Sequence, residues 1–447
     1  MPPPAPADVA AAVAARDVLP EDIAAAVDWA GLPPLRLDDP GRGSTDPDDV
    51  AFWRGSAWAF HPAVRRARGE LQVARARAGA AGRPMATGVE LETVDPSGDD
   101  RETELNVLFD LLGLLGAGYP EATRALADAE ALAALGHLER AAWAALAEVE
   151  RALAGVGVAQ ARLAALEELL AEAEADVPRI DVLMHSGWAA PADAGAAVAA
   201  ILELQHHVSN VRVELAAARA RLARAAGLPP DDPAVLGVTM AALERLHPPE
   251  GEPPRPAAAE LVQRLPELRV LALQCGVAEA HLRRAAAARW PRLAVGPRLI
   301  VGEDDTLVGG VLHLDLPWPG TLDAEMEAAQ AMCVAAREEL EDGLLAALVR
   351  AEERAVRLHE AWTSARLHLP DIDEAYATRW HAARTRFQSE PQALSEWTAA
   401  LRERIAPLLE AIDGRGTLAV AAVDLREAAG LPQPAAPLAG GPGEGTR

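Results

Sequence analysis

Carboxylates, imidazoles, thioethers and two thiols are the side chains of this sequence that could do chemistry. Their spacing argues against most of it. His206 and His207 are adjacent in a helical pattern, so they point about 100° apart and do not chelate together. Met326, Met332 and Cys333 form a loose soft-ligand set on another helical pattern. Soft-metal handling is one reading, and core packing is the stronger one. Cys275 and Cys333 show no CxxC spacing and no disulfide framework. No Ser/His/Asp, paired-carboxylate or HExxH pattern stands in the chain. All 42 basic residues are arginine, which excludes a P-loop lysine and a Schiff base. We read no catalytic, metal-binding or cofactor-binding residue, and the expectation is a protein that is not an enzyme and needs no cofactor.

A second group of charged residues recurs in alternating segments. Val89 and Leu91 alternate with Glu90 and Glu92 between Met85 and Val94. Asp95-Pro-Ser-Gly-Asp-Asp100 is strong turn chemistry. Glu102 to Leu112 alternates again, with Leu105, Val107, Phe109 and Leu111 opposite Asn106 and Asp110, although Leu108 and Leu112 share the latter side. The spacing predicts a hairpin over 85–112. A second hairpin is expected over 292–316. There Leu293, Val295, Leu299 and Val301 oppose Ala294, Gly296, Arg298 and Ile300, and Leu312, Leu314 and Leu316 oppose His313 and Asp315. Gly302-Glu-Asp-Asp305 forms its turn.

Around these hairpins the chain reads as long helices. The net charge of -25 argues against a nucleic-acid partner. The sequence has no run of 18 apolar residues to make a transmembrane helix. Met1-Pro-Pro-Pro-Ala-Pro has no basic stretch leading into an apolar core, so no signal peptide is read there. Residues 1–47 are a Pro-, Ala- and Asp-rich extension, partly disordered. Residues 48–228 form a first repeat: a helix, the hairpin and a long helical hairpin. A Pro-rich linker spans 229–256. A second repeat covers 257–432, and 433–447 is a disordered tail. The duplication rests on matching punctuation. Pro266 stands 204 positions after Pro62, and Ala428-Ala-Gly430-Leu-Pro432 stands 203 after Ala225-Ala-Gly227-Leu-Pro229.

Strands of about ten residues are long enough to cross a bilayer when tilted. Four strands in one chain leave open edges, which three chains with twelve strands would close. Several phrases now carry a family resemblance. They are Leu265-Pro-Glu-Leu268 before an Ala/Arg-rich helix, Trp290-Pro-Arg-Leu293 entering a strand, Leu314-Asp-Leu-Pro-Trp-Pro-Gly320 opening a helix, and Ala226-Gly-Leu-Pro-Pro-Asp-Asp-Pro233. Together, and in their order along the chain, they resemble the TolC-type outer membrane factors, the exit ducts of tripartite efflux and type I secretion systems.

The resemblance implies a mainly α fold: long antiparallel coiled-coil helices in two tandem repeats, each lending a β-hairpin to a trimeric 12-stranded transmembrane β-barrel. It implies a homotrimer in the cell outer membrane, in contact with its lipid and with a periplasmic extension. A periplasmic adaptor protein and an inner-membrane pump would be its partners. It would be a passive conduit. Glu90, Glu92, Asp110, Arg298, His313 and Asp315 then fall on the luminal barrel face, against the plainer reading of a solvated polar face. Asp181, Asp193 and Glu390 fall at the periplasmic entrance, where an acidic ring would gate cations. The plainer reading there is helix capping and solvation, since Asp193 sits in a first helical turn. The alternative function is a soluble coiled-coil scaffolding protein, or a duct homologue that has lost transport.

Overall fold

The computed structural model describes residues 46–81, 86–94, 102–110, 118–246, 258–290, 292–301, 306–315 and 319–430. The extension at 1–47 lies outside these apart from residues 46 and 47. The tail at 433–447, both hairpin turns and the end of the 229–256 segment also lie outside them. The chain divides into two compact units. The first takes its described residues from Met1–Arg65, Ala141–Ala257 and Ala347–Arg447, and the second from Arg66–Arg140 and Ala258–Ala346.

The elements follow from local chemistry. Helices α1 (Val50–Phe60) and α2 (Pro62–Ala80) precede the strands β1 (Ala86–Val94) and β2 (Glu102–Asp110). Then come α3 (Tyr119–Ala175), α4 (Val177–His185), α5 (Pro191–Ala226), α6 (Pro233–Gly237) and α7 (Ala241–Arg245). They are followed by α8 (Ala258–Arg264), α9 (Pro266–Ala288), β3 (Arg292–Val301) and β4 (Thr306–Asp315). Helix α10 (Pro319–Thr363) passes through a π-helical turn, Ser364–His368, into α11 (Leu369–Ser389), and α12 (Leu394–Ala429) ends the described chain. The long helices consist largely of Ala, Leu, Arg and Glu, the strongest helix formers.

The first unit is held by an apolar seam. On α5 the buried residues Ala194, Ala197, Ile201, Leu204, Val208, Val211, Leu215, Ala218 and Leu222 recur at alternating steps of three and four. That is the period of a helix packed along its whole length against neighbours. Proline opens α5 at Pro191, and Gly227 closes it in the left-handed conformation at φ 72°. One core joins Trp53, Leu153, Leu222 and Leu246. A second joins Leu166, Ile180, Leu204, Trp380, Phe387 and Trp397. A third joins Leu358, Leu418 and Leu425. The short helices α6 and α7 contribute buried Val235 and Leu243 to the first of these. A buried carboxylate, Glu150, is 1 % exposed. It accepts from Arg54 Nε at 2.8 Å and from Arg426 Nη2 at 2.6 Å. Burial lowers the Arg54 pKa, against the opposing pull of Glu150. Ser56 donates to the Ala226 carbonyl at 3.0 Å, satisfying a terminal acceptor of α5.

The second unit carries the sheet and the helical segments around it. A Cβ at Gly136 would meet the Leu273 and Val270 side chains of α9, and one at Gly343 would meet Leu271. Both glycines therefore allow α3 and α10 to approach α9 closely. Glu139 pairs with Arg269 at 3.1 Å. Burial raises the Glu139 pKa, and Arg269 offsets part of that. Burial, with Arg140 adding repulsion, lowers the His137 pKa.

The sheet corrects the expected barrel. Its four strands form one open antiparallel sheet in the order β1-β2-β3-β4. Closure within one chain needs a ladder from β1 to β4, and among the described residues those strands are the two edges. Four strands are too few to curl around a packed interior. The 12-stranded transmembrane β-barrel is thus replaced by an open sheet on a mainly helical chain with long paired helices. The outer-membrane location and the exit-duct function rested on that barrel and are overturned with it. No helix among the described residues is long and apolar enough to cross a membrane.

Gly227 tests the α5 terminus. At φ 72° an added Cβ would lie 2.5 Å from the Phe60 carbonyl oxygen, which is backbone and cannot swing away. Gly187 has φ 74° with nothing within 4 Å. Gly227→Ala should therefore cost more than Gly187→Ala. We expect about 1–3 kcal/mol of conformational strain at either site, plus the collision at Gly227 alone, read by urea unfolding. Equal losses would place the cost in the backbone angle only.

His137 gives a pH prediction. Its folded pKa lies below the ordinary value of about 6.5. The unfolded chain therefore takes up the proton first as pH falls, and stability drops as pH decreases from about 6.5 towards the folded pKa. His137→Gln should lose less thermal stability between pH 7 and pH 5 than the unaltered chain. An identical or steeper loss would contradict this.

Candidate functional site

The helical tip of the first unit is the most elaborately built polar site among the described residues. Asp176 lies at the junction of α3 and α4 and is 5 % exposed. Its Oδ2 accepts from Arg384 Nε at 3.0 Å and from Trp397 Nε1 at 3.1 Å. Arg384 also donates to the Glu172 carbonyl at 3.0 Å, and Trp380 Nε1 donates to the Glu172 carboxylate at 2.7 Å. Arg179 donates to the Phe387 carbonyl at 3.0 Å and lies 5.5 Å from that ring's centre. The Trp397 ring packs against Trp380 and Phe387, at 5.6 and 5.8 Å between centres. Four helices, α3, α4, α11 and α12, are thus joined through one buried carboxylate. Two ring or guanidinium N–H donors satisfy it in a site with little water, which makes each bond strong and its loss costly.

Beyond this clamp the tip presents an apolar surface. The turn after α4 is made by Gly187 at φ 74°. It projects Trp188, which is 73 % exposed, beside exposed Val182 and Met184. The three residues expected at an entrance lie here. Asp181 is on α4, Asp193 is in the first turn of α5, and Glu390 caps the end of α11. All three are exposed. Among the described residues no ion pair links any of them to another group. Arrangement as a ring would need further copies of the chain.

The six residues expected on a luminal face are placed by strand register. Glu90 pairs with Asn106, Asn106 with Arg298, and Arg298 with Gly309. Asp110 pairs with Ala294, and Ala294 with His313. Arg292 pairs with Asp315, and Glu92 with Glu104. Directly paired residues share a face, as do residues two apart on one strand. The register therefore puts Glu90, Glu92, Asp110, Arg298, His313 and Asp315 on one face. Leu293, Val295, Leu299, Leu312 and Leu314 fall on the other, where Val308 is 79 % exposed. Pro297 pairs with Gly310 on this second face.

Sequence reasoning missed Asp176, Arg384 and Trp397. A signal for the first two was present: Asp176 and Arg384 are 208 positions apart, close to the repeat offset. Positions one repeat apart meet at the tip. No group of His, Cys, Asp and Glu among the described residues is arranged to hold a metal ion.

No protein-family model matches the sequence, and no characterised protein matches it in sequence. Solved structures do match in fold. The outer-membrane channel OprN shares 18 % identity with a TM-score of 0.69, over 91 % of this chain and 92 % of that one. The CmeC outer membrane channel of Campylobacter jejuni shares 14 % identity with a TM-score of 0.70, over 85 % of each chain. The open-state MtrE outer membrane channel of Neisseria gonorrhoeae shares 16 % identity with a TM-score of 0.68, over 85 % of this chain and 88 % of that one. The chain is structurally similar to several TolC-family outer-membrane channel proteins. At these identities the likeness is one of fold.

Substitution tests the clamp. Asp176→Ala leaves Trp397 Nε1 without its acceptor in a buried site and leaves Arg384 with Glu172, at 3.6 Å, as its carboxylate partner, so a loss of about 1–3 kcal/mol is expected. Exposed Asp193→Ala should change stability by less than about 0.5 kcal/mol. Urea unfolding followed by tryptophan fluorescence distinguishes them, and equal small effects would remove the clamp from the account.

Proposed function

We propose that this chain is a non-catalytic helical scaffold on the channel fold, a duct homologue that does not itself transport. The observation that carries this reading is the contrast between the two parts of the chain. The helical body completes its own apolar cores and polar clamps within one chain. The sheet is open, with β1 and β4 as edges. The fold shared with channel proteins supports a non-enzymatic role.

Assembly is the finer part of the proposal. Unpaired strand edges and exposed apolar side chains are surfaces that favour association, and we infer a homotrimer. The tip bearing Trp188, Val182 and Met184 is the surface on which we place an adaptor protein's helical hairpin. An inner-membrane pump would be reached only through that adaptor.

Planar lipid bilayers provide the test. Purified full-length chain, with its mass measured beforehand by light scattering, is added to both sides under voltage. The scaffold reading expects an oligomer of three chains and no unit conductance steps. Reproducible steps from that oligomer would overturn the loss of transport, and a strictly monomeric chain would overturn the assembly.

A further inference from the structure

One cavity of the first unit lies apart from the tip, against the first and third cores. It is a trough of about 990 Å³ on the face formed by α3, α5, α10 and α12. Its floor is small and mostly apolar: Ala154, Gly155, Val158, Ala218, Gly416 and Ala421 line it. Space above the floor is real, because a Cβ added to Gly155 would meet nothing within 4 Å. A volume of this size suits a small organic molecule.

The walls are unusually rich in guanidinium for a chain of net charge -25. Five arginines and four carboxylates line the trough. Three of the arginines are already neutralised. Arg151 donates to Asp424 at 2.7 Å and also pairs with Glu427. Arg162 donates to Asp413 at 2.6 Å and to Glu214 at 2.9 Å. Arg354 shares Asp424. The remaining two, Arg221 on α5 and Arg357 on α10, form no hydrogen bond or ion pair among the described residues. Of the four carboxylates, Glu360 is the one outside these pairs, one helical turn from Arg357.

We propose that the trough binds a free, small amphipathic anion. Its acid group lies between the Arg221 and Arg357 guanidiniums, and its hydrocarbon body lies on the floor at Gly155. Each half of the site selects half of the ligand. Guanidinium forks match a carboxylate, sulfonate or phosphate head. The small-residue floor leaves room for a body of methylene or ring carbon, whose transfer from water stabilises the complex by about 0.8 kcal/mol per buried CH₂. This inference is independent of whether the chain assembles or transports.

Isothermal titration of the full chain with decanoate is the test, with acetate and decyl maltoside as the head-only and body-only probes. Decanoate should bind saturably at one site per chain, and each control should bind at least tenfold more weakly. The double variant Arg221→Gln, Arg357→Gln alters exposed side chains and should retain its helical circular dichroism while weakening decanoate at least fivefold. Gly155→Leu fills the floor and should abolish binding. No decanoate binding, equal binding of decyl maltoside, or undiminished binding in the folded double variant would each overturn the proposal. Capture of the chain by anionic vesicles without binding of monomeric decanoate would overturn it as well.

Discussion

Lateral pairing of the long helices is the constraint from which the rest of the structure follows. A helix such as α3 or α5 gains little from its own propensity and depends on an apolar stripe packed against neighbours. The three-and-four spacing from Ala194 to Leu222 supplies that stripe. Small residues keep it narrow, so neighbouring backbones approach closely. Gly157 and Gly416 show the same economy of volume, with side chains of α7 and α3 where their Cβ atoms would be. Tight pairing then decides where polar groups can go. Buried polar groups are confined to the helix ends and to the lines between helices.

Arginine fills that polar role throughout. The buried Glu150 is held by two guanidiniums from α1 and α12, and Asp176 by one guanidinium and one indole. A planar guanidinium offers several donors in fixed directions, so one arginine can tie a carboxylate and a helix-end carbonyl together, as Arg384 does. Such buried ions do not by themselves make the chain more stable than apolar replacements would. Glu150 on α3 is joined to α1 and α12, and Asp176 joins the α3–α4 junction to α11 and α12. At the tip this matters most, because the surface beyond the clamp carries exposed Trp188.

Much of this was legible in the sequence, and the limits have physical causes. The phrases around Leu265, Trp290, Leu314 and Ala226 led to the channel fold that the solved structures share. Alternation in the strands fixed which residues could share a side. The register then gathered six charged or polar candidates onto one face. Strand alternation carries no information about what an edge strand pairs with. The inferred barrel failed at that step, and the sheet is open between β1 and β4. The Asp176 clamp was missed for a different reason. Its members lie 208 and 221 residues from one another in sequence. Only the insight that repeat-related positions become neighbours would have joined them.

The helical body completes its apolar cores within one chain, without a closed barrel or a partner. Amide hydrogen exchange on the isolated full-length chain tests this most directly. The slowest amides should lie along the buried seam of α5 and in the parts of α3 and α12 that share its cores. Exchange of those amides as fast as that of the exposed turn at Gly187 would contradict it.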